Sequence, residues 1–99
     1  MRIRKYSDLF RKKIKKLKGQ EARNFIKKRD EVLNSTDLNH YKNLRKPLNR
    51  YKRIHINDSF VILFFGDDGV VYFVDYEHHD KIYKGNKIQI EKYENLKFS

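Results

Sequence analysis

Two apolar segments separated by a glycine-flanked turn constrain the fold more than any other feature of the sequence. The first is Phe60–Phe65, the second is Val70–Val74, and the turn between them is Gly66-Asp67-Asp68-Gly69. Short apolar segments without polar alternation are typical of strands that are buried on both faces. Because so short a connection can join only antiparallel neighbours, the sequence predicts a hairpin at the centre of a sheet.

A third strand is predicted just before this hairpin, from Arg50 to Ile56. Side chains alternate between the two faces of a strand. One face therefore holds Ile54 and Ile56, and the other holds Tyr51, Arg53 and His55. Asn57-Asp58 suits a tight turn into the apolar segment, so the three strands are expected to form an antiparallel meander.

Two helices are predicted in the first third of the chain. Ser7 is a suitable N-cap for the first helix, and Gly19 is suitable to end it, because glycine tolerates a left-handed backbone there. Apolar residues follow the cap at helical spacing, namely Leu9, Phe10, Ile14 and Leu17. The second helix is expected over Gln20–Leu33, and its apolar stripe is Ala22, Phe25, Ile26, the stem of Arg29, Val32 and Leu33.

The remaining segments are shorter or more polar. Arg2–Tyr6 predicts an edge strand, Asn34–Pro47 a surface loop, and Lys87–Glu91 a short strand in the tail. Together the elements predict one α+β domain over residues 1–99, in which two N-terminal helices pack on one face of an antiparallel sheet of about four strands. The helices are expected on the face that Ile54 enters, which leaves the other face as the candidate site.

The net charge of +11 is concentrated in the N-terminal half of the chain. Residues 1–53 hold 19 Lys and Arg against 5 Asp and Glu, whereas residues 54–99 hold 5 against 8, so the halves carry +14 and −3. This asymmetry favours a polyanionic partner, which can be RNA, DNA or an acidic protein. Cations that neutralise phosphates release condensed counterions, and that release drives such binding.

The composition excludes several classes of protein. The chain has no cysteine, so it has no disulfide framework, no Cys-ligated zinc and no thiolate nucleophile. No apolar segment approaches the length of a membrane span or forms the core of a signal peptide, so we expect a cytoplasmic protein. His78, His79 and Asp80 are a weak metal signal, because adjacent side chains of a strand point in opposite directions. We therefore expect no metal and no cofactor.

Four segments, in this order, resemble the RelE/ParE superfamily of toxins and in particular its RelE-like branch. They are Leu44–Leu48 before the sheet, Tyr51–Ile56 as a basic strand, Phe60–Leu63 as a central strand, and His78–Tyr83 at the end. The resemblance covers residues 1–83 and leaves 84–99 as a C-terminal extension. It implies a metal-free ribonuclease that cleaves messenger RNA at the ribosome and is neutralised by a small acidic antitoxin from the neighbouring gene.

The resemblance also implies site residues. The family's basic pair falls on Arg53 and His55, the arginine before its terminal helix falls on His79, and its C-terminal tyrosine falls on Tyr83. An arginine that many RelE-like proteins place on the next strand aligns with Phe60, so one cation of the family site is missing. That departure keeps two alternatives open: a ParE-like toxin that inhibits DNA gyrase, and a catalytically degenerate protein that binds RNA or its antitoxin.

The chemistry of the same residues can be argued without the family. Metal-free RNA cleavage needs a base for the 2′-OH proton, an acid for the departing 5′ oxygen, and fixed cations for the phosphorane charge. An imidazole, with an ordinary pKa of about 6.5, exchanges protons at cellular pH. His79 and His55 are therefore the candidate proton carriers, Arg53 the phosphate ligand, and Tyr83 a group that positions or donates. Further candidates for RNA binding are Arg45, Lys46, Arg50, Lys52 and Phe60.

Overall fold

The computed structural model describes residues 1–46, 48–83 and 87–99, and the side chains of residues 83 and 87–90 fall outside that description. The elements in chain order are β1 (Ile3–Tyr6), α1 (Asp8–Ile14), α2 (Gly19–Leu33), a 3₁₀ turn (Leu38–His40), β2 (Lys52–His55), β3 (Phe60–Gly66), β4 (Val70–His78), α3 (His79–Tyr83) and α4 (Lys87–Glu94). Within the described residues, no helix is long and apolar enough to cross a membrane.

The four strands form one mixed sheet in the order β1-β4-β3-β2. The meander of β2, β3 and β4 is antiparallel, as the sequence predicts. The edge strand β1 pairs parallel to β4, with Ile3 opposite Val70, so the prediction of a wholly antiparallel sheet is wrong at this edge. A parallel pair needs a long crossover, and here the two helices, β2 and β3 all lie between the paired strands.

Each face of the sheet carries its own apolar core. The first core joins both N-terminal helices to one face of the sheet and contains Tyr6, Phe10, Phe25, Val32, Leu33, Leu38, Ile54, Ile56, Ile62, Phe64, Val71, Phe73 and Tyr76. The second core covers part of the other face and contains Leu44, Leu48, Tyr51, Val61, Leu63, Val74, Ile82 and Tyr93. The predicted α+β class, with two helices on the Ile54 face, is confirmed.

Helix α1 begins at the point where β1 ends. The Ser7 hydroxyl accepts a hydrogen bond from the backbone N–H of Phe10 (2.9 Å), which confirms the predicted N-cap, and it donates to the carbonyl of Val74 (2.7 Å). The helix contacts β4 closely. The Ser7 bonds therefore fix both the start of the helix and its position beside β4.

Several predicted boundaries differ from the observed ones. Helix α1 ends at Ile14, and Gly19 opens α2 with a φ of 58°, so glycine supplies the left-handed turn between the helices rather than directly following α1. The helical spacing predicts Ile26 in the buried stripe of α2, but its side chain is 45% exposed. The turn after β2 spans three residues, because the N–H of Ile56 bonds to the carbonyl of Phe60.

The tail of the chain is a helix rather than the predicted strand at Lys87–Glu91. Tyr93 explains the difference, because the helix places its ring against Tyr51 (centroids 5.6 Å apart) in the second core. After the helix, the chain returns to β1. The backbone of Ser99 exchanges two hydrogen bonds with Tyr6, and an antiparallel bridge joins Ser7 to Phe98.

A buried polar network links the two terminal helices to β4. Asp75 is fully buried; its Oδ1 lies 2.6 Å from Lys13 Nζ, and its Oδ2 accepts a hydrogen bond from the Tyr93 hydroxyl at 2.6 Å. Burial alone would lower the pKa of Lys13, but the Asp75 carboxylate and its neighbour Glu77 raise it. Burial and the Asp75 charge both raise the pKa of Tyr93. At neutral pH Lys13 therefore stays an ammonium and Tyr93 keeps its hydroxyl proton, and Asp75 lies between these two donors.

Replacing Tyr93 with Phe removes the hydroxyl and leaves Asp75 Oδ2 buried without that partner. We expect a loss of about 1–3 kcal/mol in the free energy of unfolding, because a buried charged acceptor loses its donor. Urea unfolding measures this loss. The matched control is Tyr72→Phe, since the Tyr72 hydroxyl makes no hydrogen bond within the described residues, and equal stability of the two variants would contradict the role of the network.

Candidate functional site

The face of the sheet that carries the second core also carries two basic residues of β2, Arg53 and His55. Arg53 pairs with Leu63 and His55 with Val61, and both of these partners belong to the second core. Directly opposed residues of neighbouring strands share a face. Arg53 and His55 therefore lie on the face opposite the two N-terminal helices, as the period-two pattern predicts.

The start of α3 is tied to the same end of the sheet. The backbone N–H of His79 donates to the carbonyl of Ser59 at 2.8 Å, which holds α3 beside the turn between β2 and β3. The pKa of His55 is lowered, first by partial burial and then by the nearby charges of Arg53 and His79. His55 is thus within electrostatic reach of both Arg53 and His79, and it favours its neutral form.

A cavity of about 540 Å³ adjoins this group. It is lined by Asn43, Leu44, Arg45, Lys46, Leu48, Arg53 and Ile82. Arg53 belongs to both the cavity wall and the histidine group, and Ile82 follows His79 by three residues on α3, so the cavity and the two histidines are neighbours. The cavity wall carries three cationic side chains, which suits an anionic ligand.

The other residues predicted to bind RNA are placed elsewhere. Arg50 lies over the rings of Tyr51 and Phe65, at 5.3 and 5.0 Å from their centroids. Lys52 donates to the Asn43 side chain at 2.9 Å and lies on the helix side, because it pairs with Phe64 of the first core.

Phe60 also lies on the helix side of the sheet. It packs partly against the first core and stacks on Tyr76, with ring centroids 5.2 Å apart. The structure therefore brings Arg45, Lys46 and Arg53 together but not Phe60. The backbone of Tyr83 ends α3, and its side chain lies outside the described residues.

His78 and His79 lie side by side, with their rings stacked at a centroid distance of 4.8 Å and an interplanar angle of 21°. The expectation that adjacent side chains point oppositely is wrong here, because β4 ends at His78 and α3 begins at His79. Asp80 Oδ1 lies 3.1 Å from His79 Nδ1, and the N–H of Asp80 donates to His78 Nδ1 at 3.2 Å. Asp80 can therefore accept a hydrogen bond from His79 and orient its ring.

Glu77 is a residue of this region that the sequence reasoning missed. Its carboxylate lies 2.9 Å from Lys13 Nζ and 3.9 Å from Lys81 Nζ, and it also accepts from the N–H of His78. Burial alone would raise the pKa of Glu77, but these hydrogen bonds and the charge of Lys13 lower it. The sequence did contain a signal for Glu77: it is the second acidic residue of an otherwise apolar strand, and because it follows Asp75 by two positions it lies on the same face.

The arrangement combines a basic wall with two imidazoles and neighbouring carboxylates. A guanidinium binds a phosphate through two parallel hydrogen bonds, and imidazoles exchange protons near neutral pH. These groups are sufficient to bind a phosphodiester and move protons around it. The guanidinium and the imidazoles that this phosphate binding and proton transfer require all lie at one end of the sheet.

Comparisons with known proteins give close sequence relatives and a shared fold. The chain is 42% identical over 83 residues to a protein of Methanocaldococcus jannaschii named as a toxin, RelE4, covering 82% of this chain and 86% of that protein. It is 38% identical over 85 residues to an uncharacterised protein of Methanosarcina mazei, covering 84% of this chain and 96% of the relative. No protein-family model matches the chain.

Two solved structures of YafQ from Escherichia coli share the fold. A variant with one histidine replaced by glutamine matches with a TM-score of 0.66 at 13% identity, and the protein from strain BL21(DE3) matches with 0.60 at 19% identity. Each match covers 84% of this chain and 99% of the other. At these identities the likeness establishes the fold alone.

The position of Glu77 predicts how stability changes in acid. Its pKa in the folded protein is below the ordinary value of 4.5, so its contribution to stability is present above that pH and is lost as the pH falls through the folded pKa. Glu77→Gln should therefore be less stable than the wild type at pH 7, and the difference should shrink below pH 4. Urea unfolding across this range measures it. A constant difference, or an equal effect of Glu21→Gln at an exposed position, would contradict the assignment.

Proposed function

The chain belongs to the RelE family of toxins, and from that premise we propose that it is an endoribonuclease that cleaves messenger RNA at the ribosome without a metal ion. Family membership supports the class of activity. The observation that carries the proposal is the grouping of Arg53, His55 and His79 beside a cavity with a basic wall. This grouping offers every class of side chain that metal-free phosphodiester cleavage requires.

The cationic side chains bind the RNA backbone. Arg53 grips the scissile phosphate through its two guanidinium N–H edges and stabilises the charge that develops on the phosphorane. Arg45 and Lys46, on the cavity wall, bind the flanking phosphates. The cavity thus orients the RNA strand across the histidines.

The two histidines divide the proton transfers. His55 favours its neutral form, because burial and the charges of Arg53 and His79 lower its pKa, so it removes the proton from the 2′-OH. The 2′ oxygen then attacks the adjacent phosphorus and the bond to the 5′ oxygen breaks. His79, oriented by Asp80 at 3.1 Å, protonates the departing oxygen. The products end in a 2′,3′-cyclic phosphate and a 5′-hydroxyl.

Tyr83 completes the proposed set of catalytic residues. It follows His79 by four positions on α3, and residues at that spacing lie on the same side of a helix. Its phenol is proposed to position the substrate or to donate a hydrogen bond to it. Arg50, Lys52 and Phe60 take a smaller part, since their side chains pack against neighbouring rings and carbonyls.

The partners follow from the charge and the family. We propose that the domain acts in the cytoplasm as one unit over residues 1–99 and is held inactive by a small acidic antitoxin from the adjacent gene. The +14 charge of residues 1–53 supports this partner, because the basic faces of α1 and α2 attract an acidic chain as readily as they attract RNA.

A second function is favoured by one observation. Phe60 occupies the position of a family arginine and is committed to packing against Tyr76, so the site has one cation fewer than the family pattern. A ParE-like toxin that inhibits DNA gyrase, or a protein that only binds RNA or its antitoxin, would not need that cation. Cleavage therefore has to be measured directly.

The cleavage test uses translating ribosomes and a defined messenger RNA. We expect fragments that end in a 2′,3′-cyclic phosphate, and we expect them equally in the presence of a chelator that removes transition metals but spares magnesium. Sequencing of the fragment ends and their sensitivity to a cyclic phosphodiesterase measure the product. Intact messenger together with inhibited gyrase would assign the protein to the ParE-like class.

Two variants separate proton transfer from phosphate binding. His79→Gln removes a proton carrier, so the cleavage rate should fall by about 10²- to 10⁴-fold and its pH profile should change. Arg53→Ala should lower the rate without moving the profile, because it weakens the grip on the phosphate. Circular dichroism controls for folding. If His79→Gln reproduces the wild-type rate and profile, His79 has a structural role only.

The antitoxin prediction is tested by mixing the purified domain with the product of the adjacent gene. We expect a stable complex at moderate salt that weakens as salt is added, because surface charges steer the association. Calorimetry at several salt concentrations measures it. Absence of binding between two folded proteins would count against the proposed partner.

A further inference from the structure

Three potential metal ligands meet where β4 passes into α3. The ligand atoms of His78, His79 and Asp80 all lie within 4.8 Å of one another. The change from strand to helix between the two histidines is the cause, because it turns both imidazoles to the same side and stacks them. In a continuous strand the two rings would point to opposite faces.

Two of the separations between these groups are close to those around one small ion. Two ligands that each lie about 2.0–2.1 Å from a tetrahedral ion are about 3.4 Å apart. Asp80 Oδ1 lies 3.1 Å from His79 Nδ1, and Asp80 Oδ2 lies 3.7 Å from His78 Nδ1, so the observed distances bracket that value. The Asp80 carboxylate therefore lies close to both imidazoles, and binding of one ion requires only that the partly exposed side chains rotate and that His78 Nδ1 gives up its hydrogen bond from the Asp80 N–H.

The donor set selects the class of metal. Two imidazole nitrogens and one carboxylate oxygen suit Zn²⁺, Ni²⁺ or Cu²⁺, whereas Mg²⁺ and Ca²⁺ prefer oxygen ligands. The side chains of His78, His79 and Asp80 are 35%, 32% and 67% exposed, so an ion reaches them from solvent. Water would complete the coordination, as it does at open three-ligand zinc sites.

We propose that His78, His79 and Asp80 form a surface site for a transition-metal dication such as Zn²⁺, and that the bound ion switches off RNA cleavage. The second part rests on the proposed function of His79. The ion binds His79 Nδ1 in place of the proton that this nitrogen donates to Asp80, so the ring can no longer become the imidazolium that acts as the general acid, and the ion also takes the carboxylate that orients the ring. Metal is therefore an inhibitor of this site rather than a cofactor.

The binding part is tested on the full chain without RNA. Zn²⁺ is titrated against the protein in competition with a chromophoric chelator, and the imidazole signals are followed by NMR. We expect one ion per chain with micromolar affinity, shifts confined to His78 and His79, and no response to Mg²⁺. His78→Gln should weaken binding by at least about tenfold, the scale on which changes at a metal site act.

His40→Gln is the matched control, because His40 is exposed and its ring contacts Tyr41 away from the site. It should bind Zn²⁺ like the wild type. If the wild type does not bind Zn²⁺ at these concentrations, or if His78→Gln binds as tightly as the wild type, the site is overturned. These readouts do not depend on any enzymatic activity.

The inhibition part is tested in the cleavage assay. Micromolar Zn²⁺ should stop cleavage by the wild type, and the transition-metal chelator should restore it. His78→Gln retains His79 and should therefore cleave RNA at the wild-type rate while resisting Zn²⁺. Binding of Zn²⁺ without loss of cleavage, or equal inhibition of His78→Gln, would overturn the switch. A wild type that binds Zn²⁺ but never cleaves RNA would instead refute the proposed ribonuclease.

Discussion

The buried carboxylate of Asp75 is the interaction on which the arrangement of the chain depends. A charge removed from water is costly unless it is paired, and Asp75 is paired on one side by Lys13 of α1 and on the other by Tyr93 of α4. The two helices come from opposite ends of the sequence. Their shared partner therefore fixes how both terminal segments sit on β4, and Tyr93 contributes to the core behind the candidate site.

Local signals in the sequence were sufficient for the elements that depend on local chemistry. The Ser7 cap, the Phe60–Phe65 strand and the alternation that separates Ile54 from Arg53 all follow from residue type and spacing, and the structure has them. The helical tail did not follow from such signals. Its position depends on the pairing of Tyr93 with Asp75, which lies 18 residues earlier on another element, so the polar composition of the segment indicated only a weak strand.

The candidate site was likewise predictable where local alternation decides which face a residue lies on, and not where contacts between elements decide it. Alternation along β2 places Arg53 and His55 on one face of the sheet. The same rule places Lys52 with Ile54 on the other face. A prediction that groups the basic residues by charge alone therefore wrongly includes Lys52 in the site. The proximity of His79 to His55 depends on the exact point at which β4 ends and α3 begins. The period-two pattern of β4 gives no signal for where the strand ends. The sequence therefore does not predict that the rings of His78 and His79 stack on one another.

The parallel pairing of β1 with β4 governs the order in which the protein can be completed during synthesis. The register joins Ile3 to Val70, and the bridge beside it joins Ser7 to Phe98, so β1 waits for segments that are synthesised much later than itself. Contacts this distant in sequence slow folding, because a long loop must close before they form. A nascent chain that has not yet reached β4 lacks both the strand that pairs with β1 and the strand against which α1 packs. Any activity of this fold therefore appears only after β4 has been translated, and premature termination before β4 yields an inert product.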